Sequence, residues 1–246
     1  ILITGGAGFI GSAFVWQLNQ EGINDVLIVD NLYDSEKWVN LTSLHYADYC
    51  HKDKLMDYLQ SPNCPTIDAI VHLGACSSTT ETNMDFLMEN NYEYTKQLAQ
   101  FSLENDIYFM YASSAATYGN GEHGFEDNSD NLEKLRPINR YGYSKHLFDL
   151  HAKHHDWLDS IVGLKYFNVF GPNEYHKESM RSVICKSTPD IIKTQHMRLF
   201  KSYHPDYDDG GQKRDFVYVK DVVQANIKAT IDEITKTERA ILISVV

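Results

Sequence analysis

Ile1-Leu2-Ile3-Thr4-Gly5-Gly6-Ala7-Gly8-Phe9-Ile10-Gly11 is the stretch whose reading decides the fold. Its first four residues are a short apolar run of the kind buried in a parallel sheet. After the glycines, Phe14, Val15 and Leu18 recur at helical spacing. A glycine-rich turn from strand to helix lets the backbone approach a pyrophosphate, and the helix N-terminus offers it unpaired N–H groups. A tight turn without a ligand is the competing reading. The strand before the loop and the helix after it favour dinucleotide binding at Gly5, Gly8 and Gly11.

Working outward, Val26-Leu27-Ile28-Val29-Asp30 is a second apolar run. Its terminal carboxylate lies about 20 residues past the glycines, where a Rossmann fold places the acid that takes the ribose hydroxyls. Asp30 disfavours a 2′-phosphate, whereas Asn31 can donate to one and Lys37 can neutralise it, so NADP and NAD both stay open. Further strands are expected at Leu44–Asp48, Asp68–Leu73, Ile107–Ala112 and Ile161–Phe170, with helices at 52–59, 84–104 and 144–158. The small side chains of Gly74-Ala75-Cys76-Ser77-Ser78 leave room for a ligand at the carboxyl end of a central strand. Asn90, on the inner face of the long helix, reads as a buried amide or a cofactor contact. Strand and helix in alternation predict an α/β fold, a doubly wound parallel sheet.

Tyr141 and Lys145 stand at i and i+4, so in a helix they share a face. A phenol titrating near ~10 is a poor base at neutral pH, and a neighbouring ammonium favours the phenolate. Ser114, at the end of the 107–112 strand, can join them on one hydroxyl or carbonyl. Residues 119–136 read as a polar surface loop. His151, His154 and His155 have spacings that suit a metal, but an exposed polar face is the favoured reading and no metal site is expected.

The net charge of −12 argues against nucleic acid and anionic membranes as partners. No apolar run is long enough to span a bilayer and no cationic leader precedes the first strand, so a soluble, cytoplasmic chain is expected. Cys50, Cys64, Cys76 and Cys185 contain no C-x-x-C and are expected as free thiols. Both ends read as the interior of strands, the last at residues 240–246, which suggests a piece of a longer protein. The organisation expected is a dinucleotide-binding domain over 1–172, a substrate-binding region over 173–213, a returning strand and helix over 214–235, and the start of an incomplete C-terminal part over 236–246. In the middle region, cations interleaved with Tyr175, Phe200 and Tyr203 suit an anionic, nucleotide-linked substrate, against a solvated surface as the plainer alternative.

Gly5-x-x-Gly8-x-x-Gly11, Ser114 with Tyr141-x-x-x-Lys145, and Arg214-Asp215-Phe216-Val217-Tyr218-Val219-x-Asp221 together resemble the extended short-chain dehydrogenase/reductases of the nucleotide-sugar branch. Within that branch, Gly74-Ala75-Cys76-Ser77-Ser78-Thr79-Thr80, Tyr166-Phe167-Asn168-Val169-Phe170-Gly171-Pro172 and His176-Lys177-x-Ser179-Met180 resemble the ADP-heptose 6-epimerases. The resemblance implies a tightly held NADP and an ADP-linked heptose, inverted at C6 by transient oxidation to supply lipopolysaccharide heptose. It also implies a homo-oligomer, a pentamer. By the same resemblance Tyr141 and Lys177 are the two acid/base groups, Lys145 lowers the tyrosine pKa, and Ser114 holds the hydroxyl. Phe9, Ile10, Asp30, Asn31, Lys37, Lys52, Gly74, Ala75, Cys76, Ser77, Ser78, Asn90, Lys145 and Val169 fall at cofactor positions. Asn168, Ser179, Lys186, Phe200, Lys201, Ser202, Tyr203 and Arg214 fall at substrate positions.

Departures are Asn173 and Lys186, where the family has arginine and histidine, and family members continue for several dozen residues beyond Val246. Another nucleotide-sugar 4-epimerase or reductase would use the same Ser114, Tyr141 and Lys145. A cofactor-binding subunit without turnover is the alternative of a different class.

Overall fold

The computed structural model describes residues 1–203, 205–234 and 243–245. Its strands are β1 (Leu2–Thr4), β2 (Leu27–Asp30), β3 (Asp48–His51), β4 (Ala69–His72), β5 (Tyr108–Ser114), β6 (Val162–Tyr166), β7 (Asn168–Phe170), β8 (Phe216–Tyr218) and β9 (Ile243–Val245). Its α-helices are α1 (Phe9–Gln20), α2 (Leu55–Leu59), α3 (Met84–Leu87), α4 (Tyr94–Glu104), α5 (Arg140–His154), α6 (Val183–Thr194) and α7 (Val219–Ile234).

Among the described residues, one sheet runs β3-β2-β1-β4-β5-β6-β9 with every pairing parallel. The direction of travel reverses between β1 and β4, so the carboxyl ends of these two strands open the crevice where such folds bind ligands. Leu2, Ile3, Ile28, Val29, Ile70, Val71, Phe109 and Met110 are fully buried because helices cover both faces. One apolar cluster joins alternate strand residues to α1 and α7, and the other joins the remaining ones to α2, α4 and α5.

Several elements differ from expectation. The third strand is 48–51, not 44–48, because residues 36–41 form a 3₁₀ turn capped by Ser35 and pairing with β2 begins only at Asp48. The expected strand 161–170 breaks at Phe167: β6 stays in the sheet, while β7 leaves it to pair with β8. The helix expected over 84–104 is interrupted by a π-helical segment, Met88–Glu93. Helix α5 starts at Arg140 rather than 144, because the Asn139 side chain accepts the Gly142 N–H at 2.7 Å and caps it. The 119–136 loop contains a 3₁₀ turn, Ser129–Lys134, anchored by Leu132 and Leu135 against Tyr118. The final third, expected as short interrupted pieces, includes the twelve-residue α6, which buries none of its side chains. Of the run 240–246, residues 243–245 form β9 and the others lie outside the described residues.

All four cysteines are free. No described helix is long and apolar enough to cross a membrane.

Candidate active site

The loop after β1 is tight by necessity. Gly5 has φ +68°, and a Cβ there would meet Gly74 Cα at 2.7 Å. At Gly11 a Cβ would lie 2.1 Å from the Gly5 carbonyl oxygen. Helix α1 therefore begins directly against the loop, with the Gly8 N–H donating to the Gly5 carbonyl at 2.9 Å. Beneath it, the Thr4 hydroxyl accepts the Gly74 N–H at 3.1 Å and bonds His72 Nδ1 at 2.6 Å. His72 Nε2 meets Thr95 Oγ1, which itself donates to the Asn91 carbonyl. Burial holds this imidazole well below its usual range, hence neutral.

These contacts shape a cleft of about 480 Å³ at the carboxyl ends of β1, β2 and β4. It is lined by Gly5, Gly8, Phe9, Ile10, Gly11, Asp30, Asn31, Lys37, Lys52, the 74–78 run and Asn90. Thr4, Tyr33, Ser35, Phe86, Tyr94, His176, Lys177 and Met180 also line it. Of these only Lys177 was expected at a site. Asp30 is buried, and its carboxylate accepts the Ala7 N–H at 2.9 Å, the Asn31 N–H at 2.8 Å and the Lys37 ammonium at 2.6 Å. Lys37 also donates to Asn31 Oδ1 at 3.1 Å. Three ammonium groups and one carboxylate thus face a cleft in a chain of net charge −12. The glycine cradle, the helix N-terminus and this donor set fit a nicotinamide dinucleotide.

Asn90 lines the cleft, while its neighbour Asn91 is the buried amide. Asn91 accepts the Cys76 N–H at 2.9 Å and donates to the Cys76 carbonyl and to Ser144 Oγ, both at 3.0 Å. It so joins one cleft wall to α5. Nothing in the Asn90-Asn91 pair itself tells which one turns inward; the π-helical turn decides it.

Tyr141 and Lys145 do share a face of α5, next to Ser114 at the end of β5. Burial raises the Tyr141 phenol, a hydrogen bond with the Ser114 side chain pulls it back, and Cys76 of the cleft wall pushes it up further. The expected lowering by Lys145 is not among these causes. The Lys145 ammonium turns instead to the Ala112 carbonyl at 2.9 Å, and burial draws it down to about 8. The phenol is therefore set by Ser114 and its apolar surroundings in this structure.

Lys177 sits on a 3₁₀ segment, Tyr175–Met180, in which Glu178 takes φ 47°. Its ammonium lies 5.7 Å from the centre of the Phe9 ring, lowered by burial and opposed by Glu174. The buried Glu174 carboxylate fixes this segment by accepting the Gly171 N–H at 3.0 Å and both the N–H and hydroxyl of Ser182. Asn173, with φ 77°, donates to Ser12 Oγ at 3.0 Å. Asn40 donates to the Ala7 and Asn173 carbonyls at 3.0 and 3.2 Å, and its Nδ2 lies 3.3 Å from His176 Nδ1.

Ser114, Tyr141 and Lys145 are not among the residues that line this cleft, and the other expected residues also lie outside it. Val169 packs in the apolar cluster beside β8. Asn168 donates to the Asp215 carbonyl, Lys186 reaches the Ser179 carbonyl at 3.3 Å, and Arg214 turns to the Lys213 carbonyl. Lys201 is exposed, Phe200 and Tyr203 are 68% and 92% exposed, and the Ser202 N–H donates to Asp209. Among the described residues these positions do not converge on one site. His151 and His155 pack on Trp157, with ring centres 5.0 and 5.6 Å from it, and no described group of three or more His, Cys, Asp or Glu could hold a metal.

Comparison with known proteins bears on the same segments. An ADP-L-glycero-D-manno-heptose-6-epimerase of Nitratidesulfovibrio vulgaris is 56% identical over 224 residues, which cover 91% of this chain and 69% of that protein. One from Fusobacterium nucleatum is 51% identical over 227 residues, covering 91% and 68%. The crystal structure of the Helicobacter pylori ADP-L-glycero-D-manno-heptose-6-epimerase is 29% identical, superposes with a TM-score of 0.80, and covers 99% of this chain and 75% of that one. Residues 1–240, from the glycine loop through the segment that carries Lys177, match one family throughout, and this chain belongs to it: the NAD dependent epimerase/dehydratase family.

Proposed function

We propose that the chain is an epimerase that inverts C6 of an ADP-linked D-glycero-D-manno-heptose, with NADP as its bound cofactor. The observation that carries the reading is that the half-buried Lys177 lines the cleft, while Tyr141, hydrogen-bonded to Ser114, is linked to it through Cys76 of the cleft wall. Inversion by oxidation and re-reduction takes a hydride from C6 and the proton from its hydroxyl, then returns hydride to the opposite face and a proton to the oxygen from a second direction, a task that two proton-handling groups can divide. The identity to the named heptose epimerases supports this substrate over other nucleotide sugars.

When bound, the cofactor supplies a hydride acceptor that becomes a hydride donor. Lys177, whose ammonium pKa burial lowers, takes the proton of the C6 hydroxyl while Ser114 holds the oxygen. Tyr141, whose phenol burial keeps protonated, gives a proton to that oxygen once the ketone presents its other face. Lys145 holds its ammonium at the end of β5 beside this pair. NADP is preferred over NAD in this reading because Lys37 already counters Asp30, and Lys37 with Asn31 and Lys52 offers donors to a 2′-phosphate. A homo-oligomer in the cytoplasm supplying lipopolysaccharide heptose completes the proposal.

The test is conversion of ADP-D-glycero-D-manno-heptose to its C6 epimer. Tyr141→Phe and Lys177→Met should each abolish net epimerisation while retaining NADP affinity. Full activity in either variant removes that residue from the mechanism, and turnover of UDP-hexoses alone overturns the substrate.

A further inference from the structure

Behind the Tyr141–Lys145 face, and lining no part of the cleft, lies a second set of charges to which this mechanism gives no task. Asp149 is one helical turn beyond Lys145 and fully buried, and Lys165 on β6 is 1% exposed. The Lys165 ammonium donates to the Asp149 carboxylate and, at 2.7 Å, to Thr117 Oγ1. The same carboxylate accepts the hydroxyls of Tyr111 at 2.9 Å and Ser113 at 2.8 Å. Those two residues flank Ala112 on β5, and Ala112 is where Lys145 donates. Helix α5 is thus pinned to the last turns of β5 by two charged side chains a turn apart, and Ser114 is the next residue along the strand.

A buried ion pair gains little stability over apolar residues of the same volume, since desolvating both charges offsets their attraction. It does penalise any other register of α5 on β5, which would strand a carboxylate or an ammonium in the core. We propose that Asp149 and Lys165 are positioning residues for the catalytic face, locking α5 onto β5 so that Tyr141 meets Ser114, with the Asp149 carboxylate as counter-charge to the Lys145 ammonium. The inference rests on the reading of Tyr141 and Lys145 as catalytic.

The groups facing Lys145 support it. Burial draws the ammonium down, and Asp149 and then Cys76 oppose that. His72, at the end of β4, is held neutral partly by Lys145 itself. Tyr141 lies one turn before Lys145 on α5. Removing the carboxylate should therefore release the Lys145 proton at lower pH. Removing its partner cation should leave the carboxylate uncompensated and hold the proton to higher pH.

The experiment is an NMR titration of ε-¹³C-lysine in cofactor-free protein, with Lys145 assigned by its loss in Lys145→Arg. Asp149→Asn should displace its titration downward and Lys165→Met upward, each by about one pH unit, and the alkaline limb of kcat/KM should follow. A structural role alone produces no opposed pair of displacements. Displacements in the same direction, or none in folded variants, overturn the inference. Opposed titrations with an unmoved kcat/KM limb overturn instead the catalytic reading beneath it. If either single variant does not fold, the neutral pair Asp149→Asn/Lys165→Met decides: a downward displacement supports the inference and an unchanged titration overturns it.

Discussion

The Asn173 carboxamide donates to the Ser12 hydroxyl at 3.0 Å, tying the segment that carries Lys177 to the first helix after the glycine loop. Asn40 adds the second tie, through the carbonyls of Ala7 and Asn173. Dinucleotide binding and placement of Lys177 are therefore mechanically connected. Asn40→Ala should lower kcat by up to about a hundredfold, the loss expected when a positioned group moves off its productive geometry, with a smaller change in nicotinamide dinucleotide affinity. Steady-state kinetics with calorimetric cofactor binding would check it, and an affinity loss as large as the kcat loss would contradict it.

Gly11→Ala should be far more damaging than its single methyl suggests. The new Cβ would press on the Gly5 carbonyl, a backbone atom that cannot swing aside. Overpacking of this kind costs about 1–3 kcal/mol, and here the displaced backbone is the part aimed at the pyrophosphate. A lowered melting temperature together with loss of measurable nicotinamide dinucleotide binding is expected.

Stability should fall in mild acid. The folded value of His72 lies well below the ordinary 6.5, so the unfolded chain takes the proton first. The contribution is fully present above about 6.5 and is lost as the pH falls through the folded value. Burial shifts His146, His151 and His176 in the same direction. In urea titrations between pH 7 and 5, His72→Phe should flatten this decline without abolishing it, and should cost about 1–2 kcal/mol at pH 7 through lost hydrogen bonds.

Glu174→Gln should act on both fold and chemistry. Weakened acceptance of the Gly171 and Ser182 donors costs about 1–3 kcal/mol. The lost negative charge also removes what opposes burial at Lys177, so Lys177 should release its proton at lower pH. Denaturation and the pH profile of kcat/KM would show the two effects separately.

The legible parts of this molecule were those whose chemistry is local. The glycine loop, Asp30 at the end of β2 and the Tyr141–Lys145 spacing each follow from a few neighbouring residues and one period. Asn40, Asn91 and Glu174 were silent because their partners are mostly backbone groups brought near by tertiary packing. Lys145 shows the same limit from the other side: its spacing predicted a tyrosine neighbour, but a carbonyl at Ala112, which no side-chain pattern reveals, claims its ammonium. Residues 168, 179, 202 and 214 were placed by resemblance alone, and Lys186, Phe200, Lys201 and Tyr203 by that and by the interleaving of cations with aromatics; the described residues do not draw them together.

The π-helical turn at Met88–Glu93 carries one more residue than an α-turn needs. The wider turn absorbs that residue, so removing it would return the segment to a plain α-turn with the helices on either side in register but with the side chains inside the segment reassigned. Asn90 could then no longer face the cleft while Asn91 faces α5. The stretch is accordingly intolerant of length change where most helices tolerate substitution. Among diverging descendants of this chain, insertions and deletions should avoid 88–93 even though Asn91 is the one residue of that segment that is buried.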